Sequence, residues 1–231
     1  MDANATPADR IVPPKAVLFD VYGTLLDVYS VALRAEQMFP GAGERLARAW
    51  RDKQIEYSRL VSMSGQYRPF WQLTRDALQV SAAALRLPLD AAGEDSLMNE
   101  YRHLSAFPEN RAVLLALADR GVRIGVLSNG DPDMLEAAKP HHGIAFDAVI
   151  SVAEANAFKP NRATYEMAAA KVGLAMDEIL FVANHEFDCV GAKAAGMRTV
   201  FIDRRKRPFA RWPHQPDLIV ASMTELADLL A

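Results

Sequence analysis

The pattern of apolar and polar positions divides the chain into three stretches that predict different structures. Residues 15–20 form a short apolar run that ends before a turn signal, Gly23-Thr24, and such runs are typical of buried strands in parallel sheets. Residues 30–105 show apolar positions at helical spacing and contain no convincing strand. From about residue 108 onwards, short apolar runs alternate with helical patterns. This order predicts a strand, then a helical insertion, then an α/β region.

Strands that alternate with helices indicate βαβ units and a mostly parallel sheet that is covered on both faces. We therefore predict an α/β fold, with a Rossmann-like parallel sheet core and an inserted α-helical domain. The predicted units are an arm at residues 1–14, a core at 15–29 and 106–231, and the helical insertion at 30–105. Predicted helices span residues 30–39, 44–63, 70–80, 91–104, 109–120, 132–139, 162–172, 187–195 and 224–230, and later strands span 122–127, 146–151, 179–182, 199–202 and 218–220.

Composition and charge exclude several classes of protein. The chain has 231 residues, of which 51% are hydrophobic and 24% charged, so it has enough apolar material for a core and is not disordered, collagen-like or a disulfide scaffold. A net charge of −3 provides no basic surplus for nucleic acid. No apolar run approaches the roughly 18 residues of a membrane span, and the first residues lack the apolar stretch of a secretory signal. With a single cysteine, Cys189, we expect a cytoplasmic protein without nucleic-acid or membrane partners.

Polar side chains follow the apolar runs at four places. Ligands of open α/β sheets bind at the carboxyl ends of the strands, so these side chains are expected to converge. A lone Asp after a strand is more often a helix cap, whereas the convergent set offers a nucleophile, hydrogen-bond donors, a cation and an acid/base pair. The four clusters are Asp20 with Thr24, Ser128 with Asn129, Lys159 with Tyr165, and His185 with Asp188.

Four sequence motifs in this order resemble those of the haloacid dehalogenase superfamily. They are FDVYGTL at residues 19–25, VLSNG at 126–130, FKP at 158–160 and FVANHEFD at 181–188. The resemblance covers about residues 15–230, and it implies that the helical insertion is the α-helical cap of that superfamily.

The superfamily consists mostly of Mg²⁺-dependent phosphatases, and two positions depart from their pattern. Tyr22 stands where phosphatases carry a second Asp as general acid, and Asn184 stands where an Asp is usual for Mg²⁺. Mg²⁺ favours oxygen ligands that include carboxylates. The departures therefore argue against phosphoryl transfer, and we expect neither a metal nor another cofactor.

The cap segment is similar to that of one subfamily, the type II L-2-haloacid dehalogenases. The DxYGT form of the first motif and the cap sequence Trp50-Arg51-Asp52-Lys53-Gln54 carry this resemblance. It implies that Asp20 attacks C2 of a small 2-substituted carboxylate, displaces halide and forms an ester, which water hydrolyses to a D-2-hydroxy acid. It also implies a homodimer.

The resemblance implies a role for each candidate residue. Lys159 would keep Asp20 ionised and Thr24 would orient it, while Arg51 and Asn129 would stabilise the halide. Ser128, Asn184 and the backbone at Val21 and Tyr22 would bind the substrate. The side chains of Tyr22, Phe70 and Trp71 would form an apolar pocket, and Tyr165 would support Lys159. Without the resemblance, Arg51 would be interpreted as solvated, Phe70 and Trp71 as core, and Tyr165 as a packing residue.

Two residues differ from the best-known type II enzymes, which have Ser and Asn where this chain has Ala183 and His185. The resemblance implies that these positions lie near the water that hydrolyses the ester. Pairing with Lys159 is expected to lower the pKa of Asp188 and make it a weak base. We therefore expect His185 to accept the proton, with Asp188 orienting the imidazole. The alternative is that His185 only forms a hydrogen bond at the strand end.

Three other functions remain open at this point. The first is a related hydrolase that opens a strained C–N ring of a small carboxylate such as azetidine-2-carboxylate. The second is a phosphatase of the superfamily, and the third is a binding protein that kept the fold without catalysis. Retention of both Asp20 and Lys159 argues against the third.

Overall fold

The computed structural model describes residues 13–142, 145–206 and 208–230, without the side chains of residues 139–142. The predicted arm at residues 1–14 lies outside this part except for its last two residues. In the described residues, six parallel strands form one sheet in the order β3-β2-β1-β4-β5-β6. The strands are β1 (Ala16–Phe19), β2 (Arg123–Ser128), β3 (Ala148–Ser151), β4 (Ile179–Ala183), β5 (Arg198–Ile202) and β6 (Leu218–Val220).

The first strand lies in the middle of the sheet, where the strand order reverses. All four residues of β1 are buried, and Phe19 pairs with Val126 of β2 on one side and Val182 of β4 on the other. The carboxyl ends of β1, β2 and β4 therefore lie side by side. This reversal point is where open α/β sheets bind their ligands.

The helices fall into two groups, one on the sheet and one in the helical insertion. Helices of the α/β part cover the sheet, and two of them, α7 (Arg162–Val172) and α8 (Glu186–Ala195), are followed by Gly173 and Gly196 in the left-handed conformation that glycine favours. The other group is the helical cap, whose long helix packs against its two neighbours. The cap helices are α1 (Val31–Met38), α2 (Gly43–Ser64), α3 (Phe70–Ala84) and α4 (Ala91–Arg102), and the others are α5 (Asn110–Asp119), α6 (Pro132–His142), α7 (Arg162–Val172), α8 (Glu186–Ala195) and α9 (Met223–Leu229).

Several contacts hold the cap to the sheet domain, among them a backbone bridge and a capped helix end. Where the chain leaves and re-enters the core, Leu26 and Ala106 form an antiparallel bridge, which brings both ends of the insertion together. Further away, the carboxylate of Asp131 accepts hydrogen bonds from the backbone N–H groups of Phe70 (3.0 Å) and Trp71 (2.8 Å) at the start of α3. Asp131 of the sheet domain is therefore the N-terminal hydrogen-bond acceptor of α3, a helix of the other domain. We propose residues 29/30 and 105/106 as the domain boundaries.

The predicted α/β fold with an inserted helical cap is confirmed, and the differences concern the ends of elements. The strand predicted from Phe146 begins at Ala148, and Asp147 before it bonds to Ile124 of β2 through both its backbone N–H and its carboxylate (both 2.8 Å). The helix predicted to end at Val80 continues to Ala84, through residues that include good helix formers. Among the described helices, none combines the length and apolar character needed to cross a membrane.

Candidate active site

The carboxylate of Asp20 lies at the centre of the site. Asp20 is the first residue after β1 and is 5% exposed. Its Oδ2 accepts a hydrogen bond from Thr24 Oγ1 (2.7 Å), and its Oδ1 accepts one from Lys159 Nζ (2.9 Å). Burial alone would raise the pKa of Asp20, but the charge of Lys159 and hydrogen bonding by His185 outweigh it and hold this pKa well below its usual range. The carboxylate is therefore ionised at neutral pH.

A tight turn after β1 orients Thr24. The backbone N–H of Asn184 donates to Thr24 Oγ1 (2.9 Å), so the hydroxyl hydrogen is directed to Asp20. Gly23 has a φ of +105°, and a Cβ atom there would lie 2.5 Å from Cε1 of His185. The turn therefore requires glycine both for its backbone conformation and for the close approach of the imidazole.

Lys159 is the cation that two carboxylates share. Its side chain is 1% exposed, and Nζ donates to Asp20 Oδ1 (2.9 Å), Asp188 Oδ2 (2.6 Å) and the carbonyl of Leu127 (3.0 Å). These three bonds use all three N–H groups of an ammonium. Burial lowers the pKa of Lys159, but the two carboxylates raise it by more, so the lysine stays charged. Asn129 Oδ1 fixes its backbone by accepting from the Lys159 N–H (3.0 Å).

Asp188 differs from the sequence-based expectation. Its Oδ1 accepts a hydrogen bond from Tyr165 Oη (2.6 Å), as its Oδ2 does from Lys159. Burial raises the pKa of Asp188 to about 6, with the nearby Asp20 charge adding to the shift and Lys159 opposing it. The expectation that pairing would lower this pKa is wrong, because burial and the second carboxylate outweigh the shared cation.

Arg51 reaches the core from the cap helix α2. It is 7% exposed, so its interpretation as a solvated helix position is wrong. Its Nη2 donates to the carbonyl of Tyr22 (2.7 Å) and contacts Nε2 of His185 at 3.0 Å. Its Nη1 donates to Gln54 Oε1 (2.7 Å). The Arg51 guanidinium therefore lines the same cavity as the Lys159 ammonium and the Asp20 carboxylate.

The contacts of His185 define its tautomer. A guanidinium only donates hydrogen bonds, so Nε2 of His185 accepts from Arg51 and a neutral imidazole carries its proton on Nδ1. This Nδ1 lies 3.6 Å from Asp20 Oδ2. Burial lowers the pKa of His185, the Asp20 carboxylate opposes this, and the Arg51 charge adds to the lowering. The imidazole is neutral at neutral pH, and Arg51 and Asp20 orient it in place of the expected Asp188.

These side chains converge on a small cavity of about 10 Å³, which has room for about one water molecule. Eight of the candidate residues line it: Asp20, Tyr22, Arg51, Phe70, Asn129, Lys159, His185 and Asp188. The candidate nucleophile Asp20, both cations and both candidate bases therefore share one space beneath the cap.

Other candidates lie behind this cavity and do not line it. Asn184, expected to bind substrate, directs its side-chain amide to the carbonyl of Ile202 in β5. Ser128 is buried, and its Oγ accepts from the backbone N–H of Gly130 (3.1 Å). Trp71 lies half-buried beneath the guanidinium of Arg102. The remaining three act through neighbours: Thr24 contacts Asp20, Tyr165 contacts Asp188, and the Val21 carbonyl accepts bonds within the turn.

Three residues that line the cavity are missing from the sequence-based set. Ile55 and Ser58 follow Arg51 by four and seven positions, so they lie on the same face of α2. Helical spacing from Arg51 would have identified both. Phe187 packs its ring 5.3 Å from that of His185 and completes the wall.

Comparisons with known proteins agree with this geometry. Residues 14–196 match the family model described as haloacid dehalogenase-like hydrolase. The chain is similar to an (S)-2-haloacid dehalogenase of Pseudomonas sp. (strain YL), with 37% identity over 217 residues that cover 93% of this chain and 94% of the relative.

Solved structures show the same similarity. The L-2-haloacid dehalogenase RSc1362 superimposes with a TM-score of 0.92 at 44% identity, over 95% of this chain and 99% of the other. The L-2-haloacid dehalogenase from Xanthobacter autotrophicus, with chloropropionic acid covalently bound, has a TM-score of 0.86 at 34% identity, over 94% and 98%. Because the family model matches most of the chain and a relative is 37% identical over nearly its whole length, this chain belongs to the haloacid dehalogenase-like hydrolases.

Proposed function

We propose that the protein is a hydrolytic L-2-haloacid dehalogenase, which converts an L-2-haloalkanoate and water into a D-2-hydroxy acid and halide. One observation carries the proposal: an ionised, buried Asp20 faces the same small cavity as the guanidinium of Arg51. A carboxylate nucleophile and a cation for the departing anion are what displacement of halide requires. The similarity to dehalogenases named for this substrate class supports the same reading.

The first step is displacement at C2 of the substrate. A carboxylate oxygen of Asp20 forms a bond to C2 while the carbon–halogen bond breaks, and its electron pair leaves with the halide. Attack from the side opposite the halogen inverts C2 and accounts for a D-product. Lys159 keeps Asp20 ionised, and Arg51 supplies positive charge where negative charge develops on the halogen. Tyr22 and Phe70 form the apolar wall beside the reacting carbon.

Labelled water tests the role of Asp20. In a single turnover with excess enzyme in ¹⁸O water, the label should enter Asp20, because water attacks the carboxyl carbon of the ester and the original Asp20 oxygen leaves in the product. Peptide mass spectrometry locates it. Label that appears first in the 2-hydroxy acid would mean direct attack of water on C2 and would refute the ester mechanism.

The second step is hydrolysis of the Asp20 ester. We propose that His185 accepts the proton from the attacking water. The imidazole is neutral, and the lone pair on its Nε2 accepts a hydrogen bond from the Nη2–H of Arg51. A halide that binds Arg51 would compete for that Nη2–H. Nε2 would then be free to accept a proton from water. Asp188, with a pKa of about 6, is the alternative base in the same cavity.

A burst experiment distinguishes the two bases. With His185→Ala, we expect about one halide per site to be released, followed by a stall, with the ester visible as added mass on the intact protein. Steady turnover without ester accumulation would show that His185 only forms hydrogen bonds and would transfer the role to Asp188.

Metal independence is also proposed. The Tyr22 ring is buried and stacks on that of Tyr101 with 5.8 Å between centroids, and the Asn184 amide is committed to Ile202, so neither position offers a carboxylate to Mg²⁺. Turnover of 2-chloropropionate should be unchanged by EDTA. Activity that EDTA abolishes and Mg²⁺ restores would support the phosphatase alternative.

A substrate screen separates halide release from ring opening. Opening azetidine-2-carboxylate leaves an amine that must gain a proton, whereas the permanently charged Arg51 in the cavity suits an anionic leaving group. We expect chloride release from L-2-chloropropionate and none from the D-isomer. Ring opening without halide release would favour the alternative hydrolase.

We also propose that the enzyme acts as a cytoplasmic homodimer. The family resemblance supports the dimer, and α2 exposes Leu60 (56%) and Met63 (86%), two large apolar side chains that a second copy would cover. A reducing compartment suits a chain whose one cysteine, Cys189, is buried and free. Light scattering on the purified protein should give about twice the monomer mass of 25.4 kDa, and a monomer would refute the dimer.

A further inference from the structure

A buried polar network in the cap lies directly behind Arg51. Its central residue is Gln54, one turn further along α2 and 0% exposed. Gln54 Oε1 accepts hydrogen bonds from Arg51 Nη1 (2.7 Å) and Tyr101 Oη (3.0 Å). Gln54 Nε2 donates to Thr74 Oγ1 (2.5 Å), and that hydroxyl donates to the carbonyl of Phe70 (2.7 Å). Gln54 itself is absent from the residues that line the catalytic cavity.

The network fixes the plane of the guanidinium. Arg51 is anchored on Nη1 by Gln54 within the cap and on Nη2 by the Tyr22 carbonyl of the core. Its Nε has no hydrogen-bond partner in the described part of the chain. Without Gln54, the Arg51 guanidinium would keep only the contacts that its Nη2 makes with Tyr22 and His185 in the described residues. A planar group held at one nitrogen can rotate, and it then presents its charge less precisely to a leaving atom.

We propose that Gln54 is a positioning residue that holds Arg51 for departure of the halide. The inference rests on the proposed function and extends it to a side chain that does not touch the substrate. The chemistry of the amide is essential to it. Oε1 orients the guanidinium without a negative charge, so the Arg51 charge remains available to the halide. A carboxylate at this position would compete with the halide for the same cation.

If Gln54 holds Arg51 in place, the loss of rate when Gln54 is replaced should depend on the halogen. Chloride is a poorer leaving group than bromide, so its departure depends more on stabilisation by Arg51. A variant that misplaces Arg51 should therefore slow release of chloride more than release of bromide. A variant that only loosens the cap would slow both by the same factor, because a smaller fraction of folded enzyme does not distinguish between halogens.

The experiment measures single-turnover halide release from L-2-chloropropionate and L-2-bromopropionate. The variants are Gln54→Glu and Gln54→Ala, together with Tyr101→Phe, which keeps the ring and removes one hydrogen bond on Oε1. The control is Ser81→Ala, another buried polar residue of the cap, whose hydroxyl is unpartnered in the described residues. Circular dichroism establishes that each variant is folded.

We expect Gln54→Glu to slow chloride release by about 10²-fold, with a clearly smaller loss for bromide and little change in KM. Tyr101→Phe should shift the bromide-to-chloride ratio in the same direction by less, which keeps the test decisive if the Gln54 variants do not fold. Ser81→Ala should keep the wild-type rates and ratio. An unchanged ratio in all Gln54 and Tyr101 variants, with the wild type active, would overturn the positioning role and leave the proposed function intact. Absence of halide release by the wild type would overturn the proposed function and this inference with it.

Discussion

Replacement of Lys159 by Met would test the electrostatics of the buried centre. The side chains of Lys159, Asp20 and Asp188 are 1%, 7% and 1% exposed, and the ammonium lies 2.9 Å and 2.6 Å from the two carboxylates. With two anions and one cation, the wild-type cluster carries one net negative charge. Lys159→Met leaves two carboxylates without a counter-ion in the same buried space.

The expected cost follows from the geometry. Removal of one partner from a buried ion pair costs about 3–5 kcal/mol, because the remaining charge stays desolvated. For a chain of this size, 1 kcal/mol corresponds to a change in Tm of about 2–4 °C. We therefore expect Lys159→Met to lower Tm by about 6–20 °C near neutral pH. Activity should be lost as well, since Asp20 would no longer be held ionised.

The loss should depend on pH with a definite sign. In the wild type the pKa of Asp20 is lowered, so its ionisation stabilises the fold above the unfolded pKa near 4, and this contribution is lost as the pH falls. In the variant, burial and mutual repulsion would raise the pKa of Asp20 and would raise that of Asp188, already about 6 in the wild type, still further. A raised pKa gives stability that is lost as the pH rises. The gap in Tm between wild type and Lys159→Met should therefore widen from pH 5 to pH 8.

Differential scanning fluorimetry at pH 5, 6, 7 and 8 measures this gap. The matched control is Lys193→Met, which removes a lysine whose ion pair with Asp217 is about one third exposed on both sides. Exposed pairs contribute roughly 0–1 kcal/mol, so the control should change Tm by only a few degrees at every pH. If the gap for Lys159→Met were constant across this range, or no larger than that of the control, the account of a shared buried cation would be refuted.

Three further substitutions have defined outcomes. Arg51→Lys keeps the charge but loses the planar fork, so halide release should slow by about 10²-fold with an unchanged circular dichroism spectrum, and near-normal turnover would contradict its role. Gly23→Ala places a methyl group 2.5 Å from Cε1 of His185 at a φ of +105°. The free energy of unfolding in urea should fall by about 1–3 kcal/mol, and kcat should fall as well. An unfolding midpoint equal to that of the wild type would contradict the strain. Asp131→Ala removes the acceptor for the first two N–H groups of α3 and should cost about 1–2 kcal/mol in the same assay. The exposed Asp133→Ala serves as its control, and equal midpoints would argue against capping across the two domains.

Local sequence signals were sufficient for the fold and for the central residues. The four apolar residues before Asp20 predict a strand, and so do the five before Asn184. A short buried run can form all its backbone hydrogen bonds as a strand of a parallel sheet. Gly173 and Gly196 mark helix ends because their left-handed conformation suits glycine. The strand ends bring Asp20, Lys159, His185 and Asp188, the residues proposed as nucleophile, cation and acid/base pair, to one edge of the sheet.

The properties of the site depend on contacts between residues that are far apart in the sequence. Lys159 binds an Asp20 that is 139 positions away, and Arg51 contacts a His185 that is 134 positions away. Burial in this cluster raises the pKa of Asp188, although pairing with a lysine suggested the opposite. Arg51 lies among charged neighbours on α2, so its helical pattern predicts a solvated residue, and only the resemblance of the Trp50-Arg51 segment indicates a role in the site. Packing of the cap on the sheet decides the burial of Arg51 and its contacts with Tyr22 and His185, because these arise only when the two domains meet, whereas its hydrogen bond to Gln54 lies within the cap.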